Sequence, residues 1–140
     1  RRFIQMYCDV VLGVDHYLFE DALEALRFLA ARFPLVALSN GNADVHRVGL
    51  GEFFKEAISA QTFGVAKPDP RIFHEAAARA GVPAHAVLHI GDDPHLDVQG
   101  ARAAGMQCVW LNRDGHDWPH DSAPPLSLAS LRDLFDHFPA

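Results

Sequence analysis

Two rhythms of apolar residues alternate along this chain. From Phe19 to Arg32 the apolar positions 19, 23, 26, 29 and 30 fall on one stripe of a helix, with Glu20 and Asp21 in its first turn. Pro34 ends it, and Leu35 to Leu38 is a compact apolar strand, followed by the turn-prone Ser39-Asn40-Gly41-Asn42. A helix is expected at about Ala43 to Gly49, a helical turn at Gly51 to Phe54 and a strand at Ala57 to Ala60. Gln61 to Pro70 reads as loop, with Lys67-Pro68 in its middle. Arg71 to Ala80 returns to the helical rhythm, closed by Gly81. Ala86 to Ile90 is an apolar run of the kind buried on both faces of a parallel sheet. Asp93 then suits a helix N-cap and Pro94 a first helical position, and Gly105 closes the Ala-rich helix. Gln107 to Leu111 is a further strand, Asn112 to Pro125 a loop, and Leu128 to Phe138 a last helix. Residues 1 to 14 lack a clear period and fit either a helix end or a strand.

Strand and helix thus alternate at short spacing, which implies right-handed crossovers and a doubly wound, Rossmann-like parallel sheet of the α/β class. With 140 residues, 49% of them hydrophobic, the chain can bury one core. A net charge of −6, with its twelve Lys and Arg residues scattered, argues against nucleic acid as a partner. No apolar run approaches the roughly 18 residues of a membrane span, so no membrane partner is expected. Cys8 and Cys108 are far apart and read as reduced thiols of a cytoplasmic protein. The nine histidines form no His-x-x-x-His pair, which argues against structural zinc.

Open α/β sheets bind ligands beyond the carboxyl ends of their strands, and three candidates fall there. Asp92 lies on the turn after the 86–90 strand, and Asp97 one helical turn later. Clustered carboxylates suit a hard cation such as Mg2+. Ser39 offers a hydroxyl, and the backbone N–H groups of Asn40 and Gly41 add donors, for the oxygens of a phosphoryl group. Lys67 can neutralise a phosphate and a nearby carboxylate. Each has a bland local explanation: turn residue, exposed lysine, helix cap. Their co-occurrence, each at a strand's end or just beyond it, is the stronger signal.

LVALSNGN (35–42), VAKPDPRIF (65–73) and Leu88 to Met106 resemble the second, third and fourth motifs of the haloacid dehalogenase-like hydrolase superfamily. Within it, PLVALSNGNADV, GLGEFF and HIGDDPHLD are most similar to phosphatases of flavin mononucleotide and related flavin-pathway phosphates. The resemblance implies that Ser39 binds the phosphoryl group and that Lys67 orders and neutralises the site. It implies that Asp92 ligates Mg2+, that Asp97 supports the metal or Lys67, and that Asp93, where the family often has Ser, stands behind them or caps the helix.

One departure is large. The family's first motif, Asp-x-Asp-x-Thr/Val, supplies the nucleophile that becomes an aspartyl-phosphate and the acid that protonates the leaving group. No such motif occurs, although Gly13-Val14-Asp15-His16-Tyr17 mimics it faintly. Residues 1–16 are therefore expected to be the end of a cap domain or a degenerate first strand, residues 17–140 the core, and the chain the C-terminal part of a longer hydrolase. The first-motif strand of the family lies between the strands at 35–38 and 86–90, so its loss would leave a slot with unpaired backbone groups, each costing roughly 1–3 kcal/mol. Tyr7 to Gly13, a partner chain or an upstream segment is expected to fill it.

The function expected on this resemblance is a Mg2+-dependent phosphatase of small phosphorylated metabolites, inactive in this chain for want of its nucleophile. The alternatives are a non-catalytic domain binding phosphate or a partner, and a metal-free 2-haloacid dehalogenase, whose members lack the metal site that Gly91-Asp92 presents. A phosphoacceptor receiver domain is rejected because there the acids precede the lysine.

Overall fold

The computed structural model describes the backbone of residues 3–7 and all of residues 20–40 and 51–137. Strands β1 (Phe3–Tyr7), β2 (Leu35–Ser39), β3 (Glu56–Ser59), β4 (Val87–Gly91), β5 (Gln107–Leu111) and β6 (Leu126–Leu128) form one sheet in the order β3-β2-β1-β4-β5-β6. Every neighbouring pair is parallel. Helices α1 (Ala22–Ala30), α2 (Ala60–Phe63), α3 (Pro70–Ala80) and α4 (Gly100–Ala103) connect them, with a 3₁₀ segment at Leu131–Asp136.

The alternation of side chains along each strand builds two cores. Leu35 and Ala37 of β2 point to one face, where Leu88, Ile90, Val109 and Leu111 meet Ala22, Leu26 and Leu29 of α1 and Leu131 and Leu134 of the 3₁₀ segment. Val36 and Leu38 point to the other, with Val87, Met106, and Ile72, Phe73, Ala76 and Ala77 of α3. A sheet covered on both faces is the doubly wound arrangement the sequence predicts. Glycines close the helices as expected: Gly81 follows α3 at φ 74° and Gly105 follows α4 at φ 84°.

The slot between β2 and β4 is filled by residues of this chain. Gln5 pairs with Val36 on one side and His89 on the other. The filling strand is Phe3–Tyr7, upstream of the Tyr7 to Gly13 stretch expected to supply it. Three further readings need correction. Gln61 to Phe63, expected as loop, lie in the short helix α2, which Ser59 caps by accepting the Thr62 N–H. The chain after the Pro124-Pro125 loop enters a short strand, β6, before any helix, and the last segment is 3₁₀ over Leu131–Asp136 and not a helix over 128–138. The region after Asp93 opens with a π-helical turn, Pro94–Gln99, and α4 itself is only Gly100–Ala103. The expected helix at 43–49 and the weak Gly13 motif lie outside the described residues.

Candidate active site

Parallel strands put their carboxyl ends at one edge, where Ser39 ends β2, Ser59 ends β3 and Gly91 ends β4. Tyr7 of β1 stands between, paired with Leu38. Ser39 is 3% exposed and Asp92 is exposed on the turn beyond Gly91.

Local chemistry shapes that turn. Asp93 Oδ1 accepts the N–H groups of His95 at 2.9 Å and Leu96 at 2.8 Å, so the N-cap read from sequence is real. The N–H groups of both Asp97 (3.0 Å) and Val98 (3.2 Å) reach the carbonyl of Asp93, the second across five residues, which widens the turn. The wide turn carries the Asp97 side chain inward over Gly91. A Cβ at position 91 would overlap the Asp97 carboxylate, so this approach requires glycine.

Asp97 is fully buried, and its carboxylate accepts three N–H donors. Oδ1 accepts from Lys67 Nζ at 2.5 Å and from His89 Nε2 at 2.8 Å, and Oδ2 from the Asp93 N–H at 3.1 Å. Burial pushes its carboxyl pKa up, but the His89 hydrogen bond and the Lys67 charge outweigh this and hold it below the usual carboxylate range. His89, at 0% exposure, is also shifted down: burial lowers its pKa despite Asp97. Burial pushes the neighbouring Cys108 thiol far up.

Lys67 arrives from the loop after α2 and is 3% exposed. Its backbone is gripped by Asn40: Asn40 Oδ1 accepts the Lys67 N–H at 2.7 Å, and Asn40 Nδ2 donates to the Lys67 carbonyl at 3.0 Å. The Lys67-Pro68 peptide is cis. Asp92, in turn, is tied through its carbonyl, which accepts from Trp110 Nε1 at 3.0 Å.

The structure therefore links Asn40 to Lys67, Lys67 to Asp97 and Asp97 to Asp93, with Ser39 adjoining Asn40 and Asp92 adjoining Asp93. Gly41 lies outside the described residues. By its sequence position Asn40 offers a backbone donor, whereas in the structure its side chain joins two loops. His89 was absent from the candidates, though a polar residue inside the apolar run 86–90 was the available signal. Among the described residues no group of three His, Cys, Asp or Glu side chains gathers as a metal cluster. A cavity lined by Leu88, Gln107, Cys108, Val109, Leu126 and His137 lies toward the amino ends of β4 to β6, and Ser39, Asn40, Lys67, Asp92, Asp93 and Asp97 are not among its lining residues. No helix among the described residues is long and apolar enough to cross a membrane.

Residues 2–105 match the family model of haloacid dehalogenase-like hydrolases. The chain is 36% identical over 115 residues to the 5-amino-6-(5-phospho-D-ribitylamino)uracil phosphatase YigB of Escherichia coli, covering 79% of this chain and 48% of that protein. It is 36% identical over 121 residues to the phosphoserine phosphatase of Thermus thermophilus, covering 80% of this chain and 49% of that protein. The chain thus spans about half the length of these curated relatives. In structure it is similar to a 2-haloacid dehalogenase from Pseudomonas syringae pv. Tomato DC3000, with TM-score 0.83, 41% identity, and coverage of 86% of this chain and 52% of that one.

Proposed function

We infer from its place among the haloacid dehalogenase-like hydrolases, the family to which this chain belongs, that its site serves a phosphoric monoester hydrolase acting on small phosphorylated metabolites. The observation that carries this reading is the buried Lys67–Asp97 pair at the carboxyl edge of the sheet, held from the Ser39-Asn40 turn through Asn40. A buried ammonium fixed by its backbone and by a carboxylate is a preorganised positive charge, which suits the oxygens of a phosphoryl group. Ser39, which ends β2 next to Asn40, would add a hydroxyl donor at the same edge of the sheet. The phosphatase names of two relatives support the reaction class.

For Mg2+ the two proposed ligands differ in fit. Asp92 is an exposed carboxylate at the strand's end and suits a cation that keeps much of its water. Asp97 fits poorly as a direct ligand, because both its oxygens already accept N–H donors; its role in this reading is to hold Lys67. When bound, the cation supplies neutralisation of phosphate charge. Lys67 and Ser39 bind and orient the ester, and Asp97 and Asn40 keep Lys67 in place.

Because the sequence contains no Asp-x-Asp-x-Thr/Val, the proposal assigns binding to this chain and no turnover. The test is calorimetry of orthophosphate and of Mg2+ with the 140-residue chain, beside hydrolysis assays on flavin mononucleotide. Saturable orthophosphate binding lost in Lys67→Met, and Mg2+ binding lost in Asp92→Asn, would support it. Orthophosphate affinity unchanged in Lys67→Met would overturn it. The 2-haloacid dehalogenase reading, favoured by the name of the 41% identical structure, predicts instead that Asp92 binds no Mg2+ and that Asp92→Asn changes no calorimetric titration.

A further inference from the structure

His89 has no part in binding the ester, yet it hydrogen-bonds Asp97, the partner of Lys67. It lies on β4 among Val87, Leu88 and Ile90, all buried, and its ring meets the Phe73 ring edge-on at 5.2 Å between centroids. An imidazole there is costly to bury unless its polar atoms are bonded. Its Nε2 stands 2.8 Å from Asp97 Oδ1, and an ionised carboxylate only accepts, so Nε2 carries the hydrogen.

We propose that His89 is a positioning residue of the phosphate site: by donating to Asp97 Oδ1, the oxygen that also receives Lys67 Nζ, it sets the orientation of the carboxylate and thereby the place and field of the Lys67 ammonium. This rests on reading Lys67 as a phosphate ligand.

Two effects follow from the shared oxygen. Asp97 Oδ2 is fixed by the Asp93 N–H, and with His89 on Oδ1 the carboxylate plane is held from both ends. Without His89, Oδ1 loses its rigid donor, and the carboxylate turns to suit the lysine in place of the reverse. The second effect is electrostatic. A hydrogen bond from His89 draws carboxylate charge toward the imidazole, so Asp97 compensates less of the ammonium charge and more remains for an incoming anion. A neutral donor does this without adding a second buried cation beside Lys67.

The experiment compares orthophosphate affinity, by calorimetry on the 140-residue chain, for wild type, His89→Leu, His89→Gln and Lys67→Met. Gln carries a donor close to the position of Nε2, and Leu carries none. His89→Leu is expected to lose about tenfold in affinity while His89→Gln stays within about threefold of wild type, the size of one charge-assisted hydrogen bond. Equal affinity in His89→Leu and wild type would overturn the proposal, as would equal losses in Leu and Gln, which would mean that packing of the ring is what matters. If His89→Leu does not fold, His89→Asn, whose amide falls short of Asp97, takes its place.

If wild type and Lys67→Met both fail to bind orthophosphate, the phosphatase reading of Lys67 falls, and His89 is judged by nitrogen-15 NMR. A Lys67 Nζ resonance displaced in His89→Leu and restored in His89→Gln would sustain the positioning role. A resonance unmoved in both would end it.

Discussion

Asn40 and Lys67 are joined twice, side chain to backbone, with the Lys67 N–H donating to Asn40 Oδ1 and Asn40 Nδ2 donating to the Lys67 carbonyl. The amide of asparagine carries both the acceptor and the donor needed to meet the N–H and the C=O of a single residue. Asn40→Ala should therefore destabilise the chain by about 1–3 kcal/mol, read as a shifted urea midpoint with an unchanged slope. Asn40→Asp keeps the acceptor but sets a second oxygen against the Lys67 carbonyl, so it should not restore the loss. Wild-type stability in either variant would contradict the pairing.

Lys67 and Asp97 test the buried pair. Lys67→Met leaves a buried carboxylate with its cation gone, a change expected to cost about 3–5 kcal/mol. Adding Asp97→Leu removes the stranded charge, so the double variant should be more stable than the sum of the two single changes. A double-mutant cycle in denaturant reads this coupling directly. Strict additivity would mean that the two groups do not interact.

Gly91 is where a single methyl group matters. Gly91→Ala places a Cβ in the volume of the Asp97 carboxylate, and relief must come from moving Asp97 or the end of β4. Overpacking of this kind typically costs about 1–3 kcal/mol. Because the carboxylate that moves is the one holding Lys67, orthophosphate affinity should fall as well. An alanine variant that keeps both properties would show that Asp97 does not lie over position 91.

Away from the site, Asp21 ties the start of α1 to the chain's C-terminal part. It accepts from Arg113 Nη1 at 2.8 Å, Ser130 Oγ at 2.9 Å and the Leu131 N–H at 2.7 Å. Burial pushes its carboxyl pKa up, but the Arg113, Leu131 and Ser130 hydrogen bonds prevail and hold it below its usual value. A folded pKa below the unfolded one, about 3.9, gives stability that is present above that pH and lost as pH falls through the folded value. Asp21→Asn should thus melt lower than wild type at pH 7, with the difference shrinking as pH falls below about 4. A melting difference independent of pH would contradict this account.

Much of the site was legible because its backbone signals are local. Asp93-Pro94 announces a helix start, and Gly81 and Gly105 announce helix ends, through preferences that act within a few residues. The alternation of apolar runs with helical stripes pointed to the doubly wound sheet for the same reason. What stayed hidden depends on contacts between distant positions. Asn40 meets Lys67 across 27 residues and Lys67 meets Asp97 across 30, so neither the asparagine's side-chain role nor the lysine's burial is written in its neighbours. His89 was hidden by its surroundings, since an apolar run reads as a strand whether or not one member is polar. Strand β6 is three residues after two prolines, too short to show a period, and it exists because β5 offers an edge to pair with. The central strand was placed too late in the chain because residues 1–14 carry no alternation to fix a register.

The order β3-β2-β1-β4-β5-β6 also bears on how the chain acquires its shape. Strands β2 and β3 are near neighbours in sequence, as are β4 and β5, so each half-sheet closes a short loop. Strand β1 must find Val36 on one side and, much later in the chain, Val87 to Ile90 on the other. Such non-local pairing is slow, because loop entropy is lost before the contacts form. The middle of the sheet is thus its last seam: in pulse-labelled hydrogen exchange the β2–β3 and β4–β5 amides should gain protection first, and the carboxyl edge can assemble into a site only when β1 has zipped the two halves together.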